Sequence, residues 1–141
     1  MKEMSPDQYR AFLLERPRTA KLATVRADGR PHVAPIWFDL DGDTLVFTTW
    51  HTTVKAANLR RDPRVSLCID DDAPPYAFVI FEGTAALSEE PGELLRWATS
   101  IARRYMGSDQ AEAYGNRNGV PGELLVRVTP THVVAKSNIS D

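Results

Sequence analysis

Two Asp-Gly dipeptides, Asp28-Gly29 and Asp41-Gly42, constrain this chain more than any other feature of its sequence. Each lies between runs rich in β-branched and aromatic residues: TAKLATVR before the first, PHVAPIWFDL between them, TLVFTTW after the second. Glycine supplies the positive φ of a tight hairpin turn, so the pattern predicts strand, turn, strand, turn, strand. The expected product is an antiparallel meander from Thr19 to Trp50.

The remaining segments extend that reading. Ser5-Pro6-Asp7-Gln8 is a helix start, with serine as cap, proline at the first helical position and Gln8 completing a capping box. Tyr9, Phe12 and Leu13 form its apolar stripe before Pro17. A helix is expected around Val54 to Arg60, ended by Arg61-Asp62-Pro63, and RVSLCID then returns to a strand. AFVIFEGTAAL reads as a long strand with a bulge or bend at Gly83. A helix capped by Ser88 follows, with an apolar face of Leu94, Leu95, Trp97, Ala98, Ile101 and Ala102. DQAEAYGNRNG suggests a short helix, and ELLVRVTPTHVVAKSN two last β segments around Thr129-Pro130-Thr131. Six or seven strands with three or four helices and no βαβ alternation imply a mainly β (α+β) domain over residues 1–141. The form expected is an antiparallel barrel with helices packed at its ends.

Composition narrows the function. A net charge of −2 and a pI near 5.9 leave no basic field for nucleic acid. No apolar run approaches the ~20 residues of a membrane span. The polar first twenty residues do not read as a signal peptide, so a cytoplasmic location is expected. The single cysteine, Cys68, lies in the apolar run VSLCI and reads as a small buried hydrophobe. Dinucleotide, Walker, zinc-protease and nucleophile-elbow motifs are absent. His32, His51 and His132 fall in three different elements, so no metal site is expected, and Asp70-Asp71-Asp72 reads as an exposed acidic turn.

One corner calls for another explanation. In TTWHTTVKAANLRRDPRVSL, Thr48 and Thr49 end a strand, Thr52 and Thr53 fall where a helix is capped, and Lys55 enters the first turn. Amides at a helix start, with the positive end of its dipole, favour an anion. A lysine there opposes the dipole, which an anionic partner such as a phosphate would explain. A plain threonine-capped helix with a solvated lysine is the alternative. Trp37, Trp50 and Trp97 are each aromatic enough to stack on a ring, with at least one expected in core or interface, and Trp50 is the best candidate to face a pocket.

The stretches LATVRADGRPHVAPIWF, LVFTTWHTTVKAANLRRDPRVSL and VIFEGTAAL, followed by ELLVRVTPTHV, resemble the split β-barrel flavin and deazaflavin oxidoreductases named after pyridoxamine 5′-phosphate oxidase. The likeness is closer to the branch that uses the deazaflavin coenzyme F420. It implies an antiparallel split β-barrel of Greek-key type, a homodimer, and a cofactor held between the subunits. By the same resemblance Thr49, Thr53 and Lys55 hold the cofactor phosphate, with Thr48 and Val54 as backbone or wall. Pro35, Ile36 and Trp37 lie along the ring, and Asn58 matches the motif or fixes the helix. Tyr76, Phe78, Ile80 and Arg117 are candidates for partner-chain or substrate contacts. Val54 stands where tight FMN binders often carry arginine, and the carboxy-terminal Arg and His of the vitamin-forming oxidases are missing. Both departures favour F420 over FMN. The activity implied is hydride transfer to an unsaturated or conjugated small molecule. An FMN-dependent oxidase or reductase and a cofactor-binding module without turnover are the alternatives. No catalytic acid is identified; Tyr76, His32 and Arg117 are the candidates.

Overall fold

Both Asp-Gly turns form in the computed structural model, which describes residues 1–141, with Gly29 at φ 88 and Gly42 at φ 63. The first joins β2 (Ala20–Val25) to β3 (Pro31–Ile36), and the second joins β4 (Asp39–Asp41) to β5 (Thr44–Trp50). The three-stranded meander, however, does not exist. PHVAPIWFDL breaks at Trp37-Phe38: β3 pairs only with β2, and β4 only with β5. The chain's β-alternation runs on through the break, so periodicity gave no warning of it.

The break closes the sheet. Its order is β3-β2-β6-β7-β8-β5-β4, with β6 at Arg64–Asp71, β7 at Ala77–Ser88 and β8 at Glu123–Ser137. The short β1 (Lys2–Glu3) pairs with β8, and every named pairing is antiparallel. β3 and β4 are thus the two ends of the order, yet only Trp37 and Phe38 separate them. At about 3.8 Å per residue, that link curls the sheet into a barrel. Phe38 is fully buried in it and contributes roughly 2–3 kcal/mol of apolar burial.

The barrel interior is lined by alternate residues, among them Leu22, Leu45, Phe47, Leu67, Phe81 and Val126. Helix α1 (Pro6–Leu14) adds Phe12 and Leu13, and α2 (Val54–Arg61) adds Leu59. The capping box forms: Ser5 Oγ accepts from the Gln8 amide at 3.3 Å, and Gln8 Oε1 from the Ser5 amide at 2.8 Å. Helix α3 (Pro91–Met106) lies on the outer wall, where Leu94 and Trp97 pack against Val46 of β5 and Leu125 of β8. α4 (Ala111–Asn118) packs on α3.

Three details differ from the sequence reading. Ser88 ends β7, and Glu90 caps α3 instead, its carboxylate accepting from the Gly92 and Glu93 amides at 3.1 and 2.7 Å. Pro91 at the first helical position fixes the cap there. Leu95 is exposed rather than part of the buried face. The last segment is one strand, continuous through Pro130, which sits opposite Gly83 at the register shift between Glu82 and Gly83. That bulge needs glycine, since a Cβ at position 83 would overlap the Thr129 carbonyl. No helix is long and apolar enough to cross a membrane.

Candidate functional site

The outer face of β5 and the start of α2 form one side of a cleft of about 320 Å³. Along β5, Leu45 and Phe47 point into the barrel, while Val46, Thr48 and Trp50 point outward. Past Trp50 the chain turns sharply. The Thr53 amide donates to the Trp50 carbonyl at 3.1 Å, and the Thr53 hydroxyl donates to the same oxygen at 2.9 Å. Thr53 then caps α2 by accepting from the Ala56 amide at 3.2 Å. Its oxygen also lies 2.8 Å from the Thr49 hydroxyl, and because the Thr53 proton is on Trp50, Thr49 is the donor of that pair.

These bonds separate the threonines into two kinds. Thr49 and Thr53 already place their protons within the chain. Thr48 forms no side-chain hydrogen bond, the Val54 and Lys55 amides have no acceptor, and Lys55 has no acidic partner within 4 Å. The corner thus offers the free Val54 and Lys55 amides, the Thr48 hydroxyl and the Lys55 ammonium, with the exposed, unbonded Thr52 beside them. That set fits an anion such as a phosphate, with Thr49 and Thr53 holding the turn that presents it.

Much of the remaining lining is apolar. Pro35, Ile36 and Trp37 line the cleft from the end of β3, and Ala98 and Ile101 from α3. The Trp37 indole stacks on Tyr105 with ring centroids 5.0 Å apart and planes within 5°. The Tyr105 hydroxyl donates to the Arg18 carbonyl at 2.6 Å and accepts from the Phe38 amide at 3.2 Å. Burial raises the pKa of this phenol, keeping it protonated in that role.

Two lining residues escaped the sequence reading. Asn118 ends α4, and Glu123 begins β8 directly opposite Trp50 in the β5–β8 register. Burial pushes the Glu123 carboxyl above its ordinary range, against the opposing pull of Lys55 and then His51. His51 is tied down beside them. Its amide donates to the Gly122 carbonyl at 2.9 Å and its Nδ1 lies 3.0 Å from that oxygen, which assigns the proton to Nδ1. Gly122 has φ 102, and a Cβ there would overlap the Trp50 indole that lines the cleft. No local motif marks Glu123; only long-range strand pairing brings it to the corner.

Of the residues singled out from sequence, Pro35, Ile36, Trp37, Thr48, Thr49, Thr53 and Lys55 line the cleft together. Val54 contributes its amide, while its side chain is exposed outside the lining. Asn58 does not reach the cleft: it is buried, donates to Thr24 Oγ1 at 2.9 Å and accepts from Arg61, so it fixes α2 on β2. Phe78 and Ile80 lie on the outer face of β7, Tyr76 is exposed just before that strand, and none lines this cleft. Arg117 is exposed on α4 with its guanidinium 5.5 Å from the Tyr114 ring. His32 pairs with Thr24 across β2 and β3, and His132 is exposed on β8. The three histidines do not converge, and no group of three metal-ligating side chains comes together.

Comparison with known proteins places this geometry. The family described as pyridoxamine 5′-phosphate oxidase matches residues 5–137. A conserved hypothetical protein from Mycobacterium tuberculosis is similar in structure with a TM-score of 0.86 and 30% identity, over 99% of this chain and 92% of the other. An F420 reductase is similar with a TM-score of 0.69 and 29% identity, over 87% of this chain and 94% of its own. A heme storage protein from Vibrio cholerae shares the fold, with a TM-score of 0.73 and 20% identity over 99% of this chain and 100% of that one.

Proposed function

The chain belongs to the pyridoxamine 5′-phosphate oxidase family, and we propose that it is an oxidoreductase that uses coenzyme F420 to reduce an unsaturated or conjugated small molecule. The observation that carries this reading is the unpaired Lys55, with the free Val54 and Lys55 amides, in the same cleft as the apolar Pro35–Trp37 wall. Similarity to an F420 reductase supports the choice of cofactor.

Bound in this cleft, the reduced deazaflavin would supply the hydride. The protein's part is placement. Lys55, the two amides and the Thr48 hydroxyl hold the phosphate, and Thr49 and Thr53 keep the turn in shape. Pro35, Ile36 and Trp37, backed by Ala98 and Ile101, take one ring face and exclude water from it. Fixing the reactants in near-attack geometry supplies much of the rate, so a site without a catalytic dyad is sufficient. Tyr76, His32 and Arg117 do not line the cleft, and solvent is the proton source in this reading.

The same proposal includes a homodimer. Ala23, Cys68, Phe78, Ile80 and Val134 share the outer face of β2, β6, β7 and β8 and are only partly buried, while Val33 on β3 is 66% exposed. A second copy seated there would cover this apolar surface and bring Phe78 and Ile80 towards a cofactor from the partner side. A solution mass near the 15.7 kDa of one chain would rule the dimer out.

Equilibrium titrations with F420 and with FMN, on the protein and on Lys55→Ala, test the assignment. Submicromolar F420 binding that weakens in the variant, with weaker FMN binding, supports it. The reverse preference makes the protein an FMN enzyme. Tight binding with no substrate-dependent oxidation of the reduced cofactor makes it a binding module, a use its fold already serves in the heme storage protein.

A further inference from the structure

We propose that the anion subsite of this cleft selects a monoanionic phosphodiester over a terminal phosphomonoester, and that Glu123 is the selecting residue. The inference rests on the reading of the cleft as a cofactor site and specifies the kind of phosphate that site accepts.

Only two charged side chains line the cleft, Lys55 and Glu123. Lys55 has no ion pair, and Glu123 makes no side-chain hydrogen bond or ion pair of its own. The strand register fixes Glu123 opposite Trp50, and alternation puts it on the same outer face as Thr48. The other charges near the corner lie outside the lining. His51 is bound through Nδ1 to Gly122, the Arg60 guanidinium donates to the His51 carbonyl at 2.9 Å, and Glu89 lines a neighbouring slot that shares Glu123. The side chains that line the subsite therefore carry at most one net positive charge, and only when Glu123 is protonated.

A phosphomonoester carries about −1.5 to −2 at pH 7, with its second pKa near 6. A phosphodiester carries one negative charge over the same range. One lysine balances the diester's single charge, so a charged Glu123 opposes the diester less than it opposes a dianion. A dianion leaves a second negative charge facing a carboxyl with no further cation to balance it. Coenzyme F420 presents a phosphodiester and FMN a monoester, so charge at this one position separates the two cofactors independently of their rings.

FMN and its 5′-phosphate methyl ester share ring and ribityl chain and differ only in phosphate charge. Their affinities for the protein, Glu123→Gln and Lys55→Ala, measured by flavin fluorescence near pH 8 and near pH 5.5, test the proposal. The methyl ester is expected to bind at least ~10-fold tighter than FMN near pH 8. The gap should narrow near pH 5.5, where FMN approaches a monoanion. Glu123→Gln should narrow the gap near pH 8 by tightening FMN more than its methyl ester, and Lys55→Ala should weaken both. Phosphorus NMR titrations with methyl phosphate and dimethyl phosphate repeat the comparison without a ring. Glu123-dependent preference for dimethyl phosphate, with no flavin or F420 binding, would retain the charge selection and end the cofactor reading. Equal affinities for the paired esters, a preference for the monoester, a gap unchanged in Glu123→Gln, or no binding of either simple phosphate together with either flavin ester would overturn it.

Discussion

Two clefts of this molecule each bring lysine, threonine and an acidic side chain together, and they differ in whether their cations are already partnered. Around the junction of α1 and β2, a cleft of about 580 Å³ is lined by Arg16, Arg18, Lys21, Asp70 and Asp72, with Pro17 and Thr19. There Arg18, 8% exposed, donates to the Phe12 carbonyl at 2.7 Å, to Glu15 at 2.6 Å and to Asp71 at 3.4 Å, with its guanidinium 4.0 Å from the Phe12 ring. Arg16 reaches Asp71 at 3.0 Å and Lys21 reaches Asp70 at 3.3 Å. The cleft at the β5–α2 corner is smaller, yet its lysine has no acid and its helix amides have no acceptor. Volume thus does not track which of the two clefts holds free donors. Cations that are already bonded hold the fold together, whereas an unbonded cation beside free amides is available to a ligand.

The contrast breaks most sharply at Arg18. Arg18→Met leaves the Phe12 carbonyl without its donor and separates Glu15 and Asp71 from their shared cation. A loss of about 3 kcal/mol in a denaturant titration is expected, with cofactor affinity at 25 °C unchanged. A variant that kept its stability and lost its ligand would invert the division between the clefts. Lys55→Ala should do the opposite: about 2 kcal/mol of binding, roughly 30-fold in affinity, with the melting temperature in place, because no partner is lost. Calorimetric melting beside the F420 titration separates these outcomes. Thr53→Ala falls between them. It removes the α2 cap, worth about 1 kcal/mol, and frees the Thr49 hydroxyl, so stability and affinity should fall together. If only affinity moved, Thr53 would be a direct ligand rather than the holder of the turn.

The smallest effect concerns pH. Burial raises the folded-state pKa of Glu123 above its ordinary 4.5. Between the unfolded and folded values the native protein binds more protons than the unfolded chain, so this group's contribution falls as pH rises through that window. Ligand-free Glu123→Gln should lack that slope and gain on the parent towards neutral pH. Denaturation midpoints across a pH series would show it, and parallel curves would place Glu123 in water rather than at the cleft wall.

Local chemistry accounts for what the sequence revealed. Ser5 and Gln8, the Asp-Gly turns and the Thr53 cap are settled within a few residues of themselves, so their rules can be applied directly. Lys55 was conspicuous because a cation in a first helical turn opposes the dipole. Features set at long range were hidden. Nothing before Trp37 indicates that the strand changes edges there, since apolar alternation continues and the cause is Phe38 burial with the Tyr105 and Arg104 bonds to its backbone. Glu123 and Asn118 come to the cleft through strand register and helix packing, which no short window contains. Ser88 misled because it is a good cap by type, whereas the cap's position was dictated by Pro91.

The placement of β8 has a consequence for how the protein is made. β5 carries the corner threonines, but its neighbours are β4 and β8, and its register joins Leu45 to Val128 and Trp50 to Glu123. β8 also completes the edge of β7. On the ribosome, β5 therefore emerges with one side unpaired and stays so while α2, β6, β7, α3 and α4 are synthesised. Such distant pairing is slow to form, and an open strand edge invites association with other chains in the meantime. The cleft is completed only when β8 brings in Glu123, so full cofactor affinity is expected only after the barrel has closed.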